Sequence, residues 1–279
     1  PLLIVMSLAN CSKSELSGSP NEILKFHKES IKYMCPYFRW REQNQTEYQA
    51  DAEDIWQKID GLMLFDIYNS VFNGARIRDC AFFLTSFVQG LFIGAQMERF
   101  QALFLDMKGC VAAGANLKES CLIGVDLRQS NLEEVNLYQA KLSGVNLEDV
   151  NLAKAQISQS HISACTFDRS VCSGVSLTRA DVQDSSFCDA ALGRAEFTAS
   201  RFSRVALRRA ALDGLVSPYS VFVDCDFSDA DLTGANLNFC VFQNCRFNGA
   251  ALEDVSAIGA SFEGCGFDAA FARKKGGQC

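Results

Sequence analysis

The chain has 279 residues, of which 48% are apolar and 21% charged, so it can bury a substantial core and is neither disordered nor collagen-like. Its net charge of −7 argues against a general phosphate-binding surface, which would need an excess of Lys and Arg, and suits a basic partner better than nucleic acid. The 13 cysteines are an odd number in a long chain and include no C-x-x-C pair, which removes the usual zinc and thioredoxin-like spacings, while only 4 prolines leave little room for long linkers.

The first element is the apolar run PLLIVMSLANC, which is far too short to span a bilayer. Leu8-Ala9-Asn10-Cys11 loosely resembles a lipoprotein cleavage box, but Asn before the cysteine is a poor match and no basic region precedes it. The run is therefore read as a strand or apolar arm packed on the domain, with membrane contact only if it anchors the chain or docks on a membrane complex. Next, Ser19-Pro20-Asn21-Glu22 forms a capping box with Pro at the first helical position, and Ile23, Phe26, Ile31 and Met34 come after it at helical spacing. The segment Pro36–Arg41 then brings Phe38 and Trp40 together. A second predicted helix starts at Thr46, carries Tyr48, Ala52, Ile55, Trp56 and Ile59 on one face, and ends at Gly61. Residues 1–61 are thus read as an N-terminal arm and a helical cap over the open end of a repeat domain that begins at Leu62.

From Leu62 to Phe267 every fifth residue is Leu, Ile, Phe, Met or Val, except Ala102, Ala112, Cys172, Ser217 and Ala257. Two residues earlier runs a second track, Cys110 to Cys265, filled by Ala, Val, Ser or Cys everywhere except Leu215. A period of five fits neither the 3.6-residue helix nor the two-residue alternation of a strand. Such a fixed period over most of a chain is the mark of a solenoid.

Stretches such as Ala115-Asn116-Leu117 and Ala235-Asn236-Leu237 resemble the A-[DN]-L-x-x quintet of pentapeptide-repeat proteins. The resemblance covers about three-quarters of the chain in one phase. It implies a right-handed quadrilateral β-helix over 62–271, with a corner every five residues, four quintets per coil, and a polar tail at 272–279. Large central side chains would fill the tube: Leu117, Leu127, Leu137, Leu147, Phe187, Phe227, Leu237, Phe247 and Phe267. Asn116, Asp126, Asn131, Asn136, Asn146 and Asn151 would face outward and serve the turns. Residues 20 apart would stack at about 4.8 Å, giving one column of Phe167, Phe187, Leu207, Phe227, Phe247 and Phe267, and another of Phe202, Phe222, Phe242 and Phe262. The interval DGLVSPYSV, Asp213 to Val221, is read as a small outward loop that replaces one quintet without shifting the phase.

Chemistry-bearing residues are sparse. Eight cysteines fall on inward tracks, Cys225, Cys245 and Cys265 in one column, and are read as small buried hydrophobes; Cys188 falls on an outward track and is read as the exposed thiol. The two histidines, His27 and His161, leave any His-based site nearly empty, and His161 shares an outward column with Lys141, Asp181 and Arg201, which suggests surface ion pairs. No nucleophile-elbow, phosphate-loop or H-E-x-x-H motif is present, so neither an enzyme nor a cofactor is expected. Three functions remain: a structural or protein-interaction scaffold, within a larger assembly or alone; a DNA mimic that inhibits a DNA-binding protein such as gyrase, as the family resemblance allows; and a targeting domain of a secreted bacterial effector. The first needs nothing that the sequence lacks. Its interface is expected where the repeat is least regular, at Phe38, Trp40 and Trp56 or around Pro218 and Tyr219.

Overall fold

A computed structural model describes residues 4–5, 11–12, 61–62, 66–67, 70–83 and 85–266. Two short antiparallel pairs lie before the repeat: β1 (Ile4–Val5) pairs with β4 (Asp66–Ile67), and β2 (Cys11–Ser12) pairs with β3 (Gly61–Leu62). Ten further strands, β5 (Ala81–Phe83), β6 (Gln101–Leu103), β7 (Cys121–Ile123), β8 (Lys141–Ser143), β9 (His161–Ser163), β10 (Asp181–Gln183), β11 (Arg201–Ser203), β12 (Val221–Val223), β13 (Val241–Gln243) and β14 (Ser261–Glu263), form one parallel sheet in chain order. Each strand pairs with the residue 20 positions on, as Val182 with Phe202, and the other three sides of each coil repeat the same step in single bridges such as Asn116 with Asn136 and Asp126 with Asn146. The result is a four-sided parallel β-solenoid with five residues to a side.

Two hydrogen bonds define the coil. Along the solenoid, Leu117 N–H donates to Asn136 O at 2.7 Å and Asn136 N–H to Ala115 O at 2.9 Å, so successive coils lock together through their backbones. At each corner a turn closes, as where Ala140 N–H donates to Leu137 O at 3.0 Å. That turn requires the residue two after the centre to take a positive φ. Every described non-glycine residue with positive φ, from Asp79 to Asp254, sits at this position, and none is β-branched. The left-handed region is poorly tolerated by branched side chains and costs glycine nothing, which is why Gly114 and Gly234 also occupy it. The asparagines before the centre brace the same turn: Asn136 Oδ1 accepts from Tyr138 N at 3.0 Å, and Asn151 Oδ1 from Ala153 N at 3.0 Å. Asn116, Asp126, Asn131 and Asn146 make the equivalent bond.

The core is the axis of the tube. Leu117, Leu127, Leu137, Leu147, Phe187, Phe227, Leu237 and Phe247 are all buried there; Phe267 lies outside the described residues. The aromatic columns stack face to face: Phe167 on Phe187 at 4.3 Å and 3°, Phe222 on Phe242 at 4.9 Å and 6°, Phe242 on Phe262 at 4.9 Å and 1°. Adjacent columns meet edge to face, as Phe242 meets Phe247 at 5.4 Å and 73°. Both arrangements suit the ring quadrupole.

One sequence expectation is overturned. Asp213–Val221 makes no outward loop; it carries the ordinary turn pattern, and Ser217 lies on the axis, fully buried. The reason is an exchange of volume within the quintet: Leu215, large on the small track, is itself fully buried and fills the space left by the small centre. Phe100 beside Ala102 repeats the exchange, both being buried. Pro218 costs no ladder bond, because its neighbours supply them: Ser217 N–H donates to Asn236 O, and Tyr219 N–H to Asn238 O. The expected helical cap and the polar tail at 272–279 lie outside the described residues.

Leu137→Ala or Leu237→Ala is expected to lower stability by about 2–5 kcal/mol in urea melts by opening a cavity, and Asn136→Ala by about 1 kcal/mol for one lost turn bond. Leu215→Ala is expected to cost as much as a central leucine. Ser217→Ala is expected to be neutral or stabilising, because Ser217 Oγ is buried without a hydrogen-bond partner. A loop at this place would reverse the order of the last two.

Candidate interaction surface

Outward side chains occupy three positions of each quintet, one before, one after and two after the centre, so every side of the solenoid is a set of columns with a 20-residue step. On most of the surface these columns carry charge. At the corners Arg99 grips Asp79 (Nε–Oδ1 2.5 Å, Nη2–Oδ2 2.7 Å), Arg204 grips Asp184 (2.5 and 2.7 Å) and Arg209 grips Asp189 (2.7 and 2.7 Å), each one coil apart. Arg169 spans Asp149 at 2.9 Å and Glu148 at 2.5 Å. The Arg99 and Arg209 guanidiniums hold the carboxyls of Asp79 and Asp189 below the usual range. These two-point pairs are exposed and dominated by water, so they set register and surface charge more than stability. His161 Nδ1 stands 3.6 Å from Asp181 Oδ2 in the expected outward column.

One side departs from this rule. On the side preceding β12 to β14, Val216, Pro218, Tyr219, Phe239 and Ile258 are outward and uncharged. Tyr219 is 62% exposed, Phe239 48%, Ile258 58% and Val216 39%. Tyr219 and Phe239 occupy the same corner column and stack at 5.1 Å and 5°. The next residue of that column is Gly259, and the Phe239 ring lies where a Cβ would stand, 2.7 Å from its Cδ1. The glycine thus lets the ring lie flat along the corner, with Ile258 beside it. Of the residues singled out by sequence, Pro218 and Tyr219 belong to this patch; Phe38, Trp40 and Trp56 lie outside the described residues. Phe239, Ile258 and Val216 were missed, although a 20-residue step from Tyr219 along the outward columns finds Phe239 at once.

The described cysteines are free thiols, most of them buried. Cys225, Cys245 and Cys265 are buried in one column, and each thiol donates to a carbonyl two residues back, at 3.4, 3.5 and 3.4 Å. Burial pushes the thiols of Cys110, Cys165 and Cys172 up to about 12. Cys188, expected to be exposed, is only 6% exposed. Asp168, one coil away in its column, lies against it, its Oδ1 accepting from Cys188 N at 2.8 Å, and Ser186 Oγ donates to the sulfur at 3.3 Å. Among the described residues no three His, Cys, Asp or Glu side chains are placed to hold a metal ion, and no helix is long and apolar enough to cross a membrane.

The quintets, the four-sided coil and the outward columns define a protein built of pentapeptide repeats. The family model "Pentapeptide repeats" matches residues 130–169 and 225–264 with 8 copies. Among solved structures, the chain is similar to HetL, a pentapeptide repeat protein involved in heterocyst differentiation regulation in the cyanobacterium Nostoc sp. strain PCC 7120, with 20% identity over 70% of this chain and 86% of that one and a TM-score of 0.53. A pentapeptide repeat protein of the Arabidopsis thaliana thylakoid lumen shares 26% identity over 31% of this chain and 63% of its own, with a TM-score of 0.27. QnrB1, a plasmid-mediated fluoroquinolone resistance protein, shares 16% identity over 75% and 94%, with a TM-score of 0.27. The likeness to HetL speaks to the fold. No curated protein matches the sequence.

A thiol reagent at pH 8 is expected to leave Cys110, Cys165, Cys172 and Cys188 unmodified in the native chain and to reach them in urea; rapid native labelling of Cys188 would reopen that side. The raised thiols also give a pH signature. Between the ordinary thiol value of 9.0 and about 12 the folded state holds protons that the unfolded state has lost. Stability is therefore expected to be full below about pH 9 and to fall as pH rises through that window, read from urea midpoints.

Proposed function

We propose that the protein is a non-enzymatic interaction scaffold whose partner is another protein, held on the apolar corner of Tyr219 and Phe239. The observation that supports this reading is the exposed stack itself. A regular coil repeats one charged surface, whereas this side gathers two aromatic rings, Ile258 and Val216 in an uncharged setting. Stacked rings already held in place bury large area at little conformational cost when a partner covers them, which is how aromatic anchors act at interfaces. Pro218 adds stiffness beside them. The mostly inward, backbone-bonded thiols and the paired surface carboxylates supply neither a nucleophile nor an acid–base couple.

A DNA-mimic reading is less well supported. A mimic of a phosphate backbone needs a field of unpaired carboxylates, and here Asp79, Asp149, Asp184 and Asp189 are each matched by an arginine one coil away. The segment with Phe38 and Trp40 stays a second candidate for the interface.

Tyr219→Ser with Phe239→Ser is expected to abolish co-purification of the partner from the native source while leaving the melting temperature nearly unchanged, since neither ring enters the tube. Phe38→Ser with Trp40→Ser, made in parallel, assigns the interface to the other segment if it alone breaks the complex. Inhibition of gyrase supercoiling by the unaltered chain would favour the mimic instead.

A further inference from the structure

Charge is unevenly placed along the solenoid. From residue 70 to 210 the sequence holds fourteen Asp and Glu against fifteen Lys and Arg, whereas from 211 to 266 it holds eight against one, Arg246. The corner columns show how the balance is lost. In them an arginine grips the aspartate one coil before it, as Arg204 grips Asp184 and Arg209 grips Asp189. The next aspartates of these two columns are Asp224 and Asp229, and the positions one coil on, where an arginine would have to stand, hold Asn244 and Gly249. Among the described residues the single ion pair within 211–266 joins Arg246 to Asp226 at 3.9 Å. Asp224 Oδ1 accepts only from the neutral Asn244 Nδ2 at 3.2 Å, and Glu263 Oε2 from Gln243 Nε2 at 3.4 Å.

The same coils carry the Tyr219–Phe239 stack, and the two features adjoin. Beyond that corner β12 and β13 continue the apolar surface with Val221, Val223 and Val241, all partly exposed. Acid borders it on both sides: Asp224 stands at the next corner and Glu263 on β14, and Asp254 stands at the corner before Ser256 and Ile258, all three exposed. We infer that the partner held here is a basic polypeptide segment, in which one large apolar side chain covers the Tyr219 and Phe239 rings and Lys or Arg on either side of it meets Asp224, Glu263 and Asp254. The inference rests on the proposal that this corner is the interface, and adds the charge of the occupant. Unpaired carboxylates around an apolar strip repel an acidic segment and draw in a cationic one across a screening length of about 8 Å at physiological salt. Lys and Arg suit the strip in a second way, since their stems lie on apolar surface such as Val221 and Val241 while their heads reach the acid. A cleft built for duplex DNA is a poorer match, because the unpaired acid spans only about three coils, about 14 Å at one strand spacing each, and its middle is aromatic.

The test uses the full chain and three labelled probe peptides, KRKLFKRK, KRKSSKRK and EDELFEDE, read by fluorescence anisotropy. KRKLFKRK is expected to bind, and each of the others to bind at least about tenfold more weakly, one for want of the anchor and the other for want of the charge. Asp224→Asn, Asp254→Asn and Glu263→Gln together are expected to weaken KRKLFKRK about tenfold, as the loss of three exposed ion pairs would, and to flatten its dependence on salt. The same charge removed in earlier coils, by Glu119→Gln, Glu133→Gln and Glu134→Gln, is expected to change its affinity less than about twofold. Failure of KRKLFKRK to bind overturns the inference. So does KRKSSKRK binding as tightly as KRKLFKRK, or an equal loss in both triple variants, since either means attraction by net charge alone. EDELFEDE binding as tightly as KRKLFKRK, and lost with Tyr219→Ser and Phe239→Ser, overturns the basic partner and leaves the corner as the interface. Binding of KRKLFKRK that survives that serine pair removes the corner itself, and both readings with it.

Discussion

The width of the tube is the constraint on which everything else rests. Each side of the coil admits one large side chain at its centre, so the chain must turn every five residues, and each turn needs a residue that accepts positive φ. Three positions of the quintet are thereby set: large centre, small partner two before it, unbranched corner two after it. The remaining two are free to face solvent. Backbone bonds from coil to coil then hold residues 20 apart in contact, which turns composition into columns: aromatic stacks inside, alternating Asp and Arg outside.

That rule also shows how the fold tolerates exceptions. In two quintets the volume delivered to the axis is kept while the residue delivering it changes. Leu215 with Ser217, and Phe100 with Ala102, exchange sizes between the two inward positions and leave the register untouched. Outward positions are freer still, and their departures from charge are where a scaffold can carry information. The Tyr219–Phe239 stack is one such departure and is open to solvent. Leu103 and Ile123, on outward positions and buried, are another. An apolar column on this surface is therefore informative only together with its exposure.

The quintet phase, the inward tracks, the stacking step of 20 and the Asn-braced turns were legible in the sequence, because one-dimensional periodicity maps directly onto a solenoid whose neighbours are set by local geometry. Two readings failed where a residue was judged alone. Ser217 and Pro218 look like a loop until Leu215 is weighed with them, and Cys188 looks exposed until Asp168, 20 residues away, is placed against it. The positive-φ corner left a signal in the spacing of the glycines that the two inward tracks overshadowed.

The sequence by itself determined the class of fold, the phase of the repeat and which side chains point to the axis, since each is set by a fixed period and the size of a side chain. Only the tertiary structure decided which outward residues are open: Phe239 and Phe104 occupy equivalent corner positions of their quintets, yet one is half exposed and the other buried. The physical reason is that inward burial is decided within a coil by residues a few positions apart, whereas outward burial depends on side chains a full coil away in sequence, as where Asp168 lies against Cys188, and no single quintet encodes that.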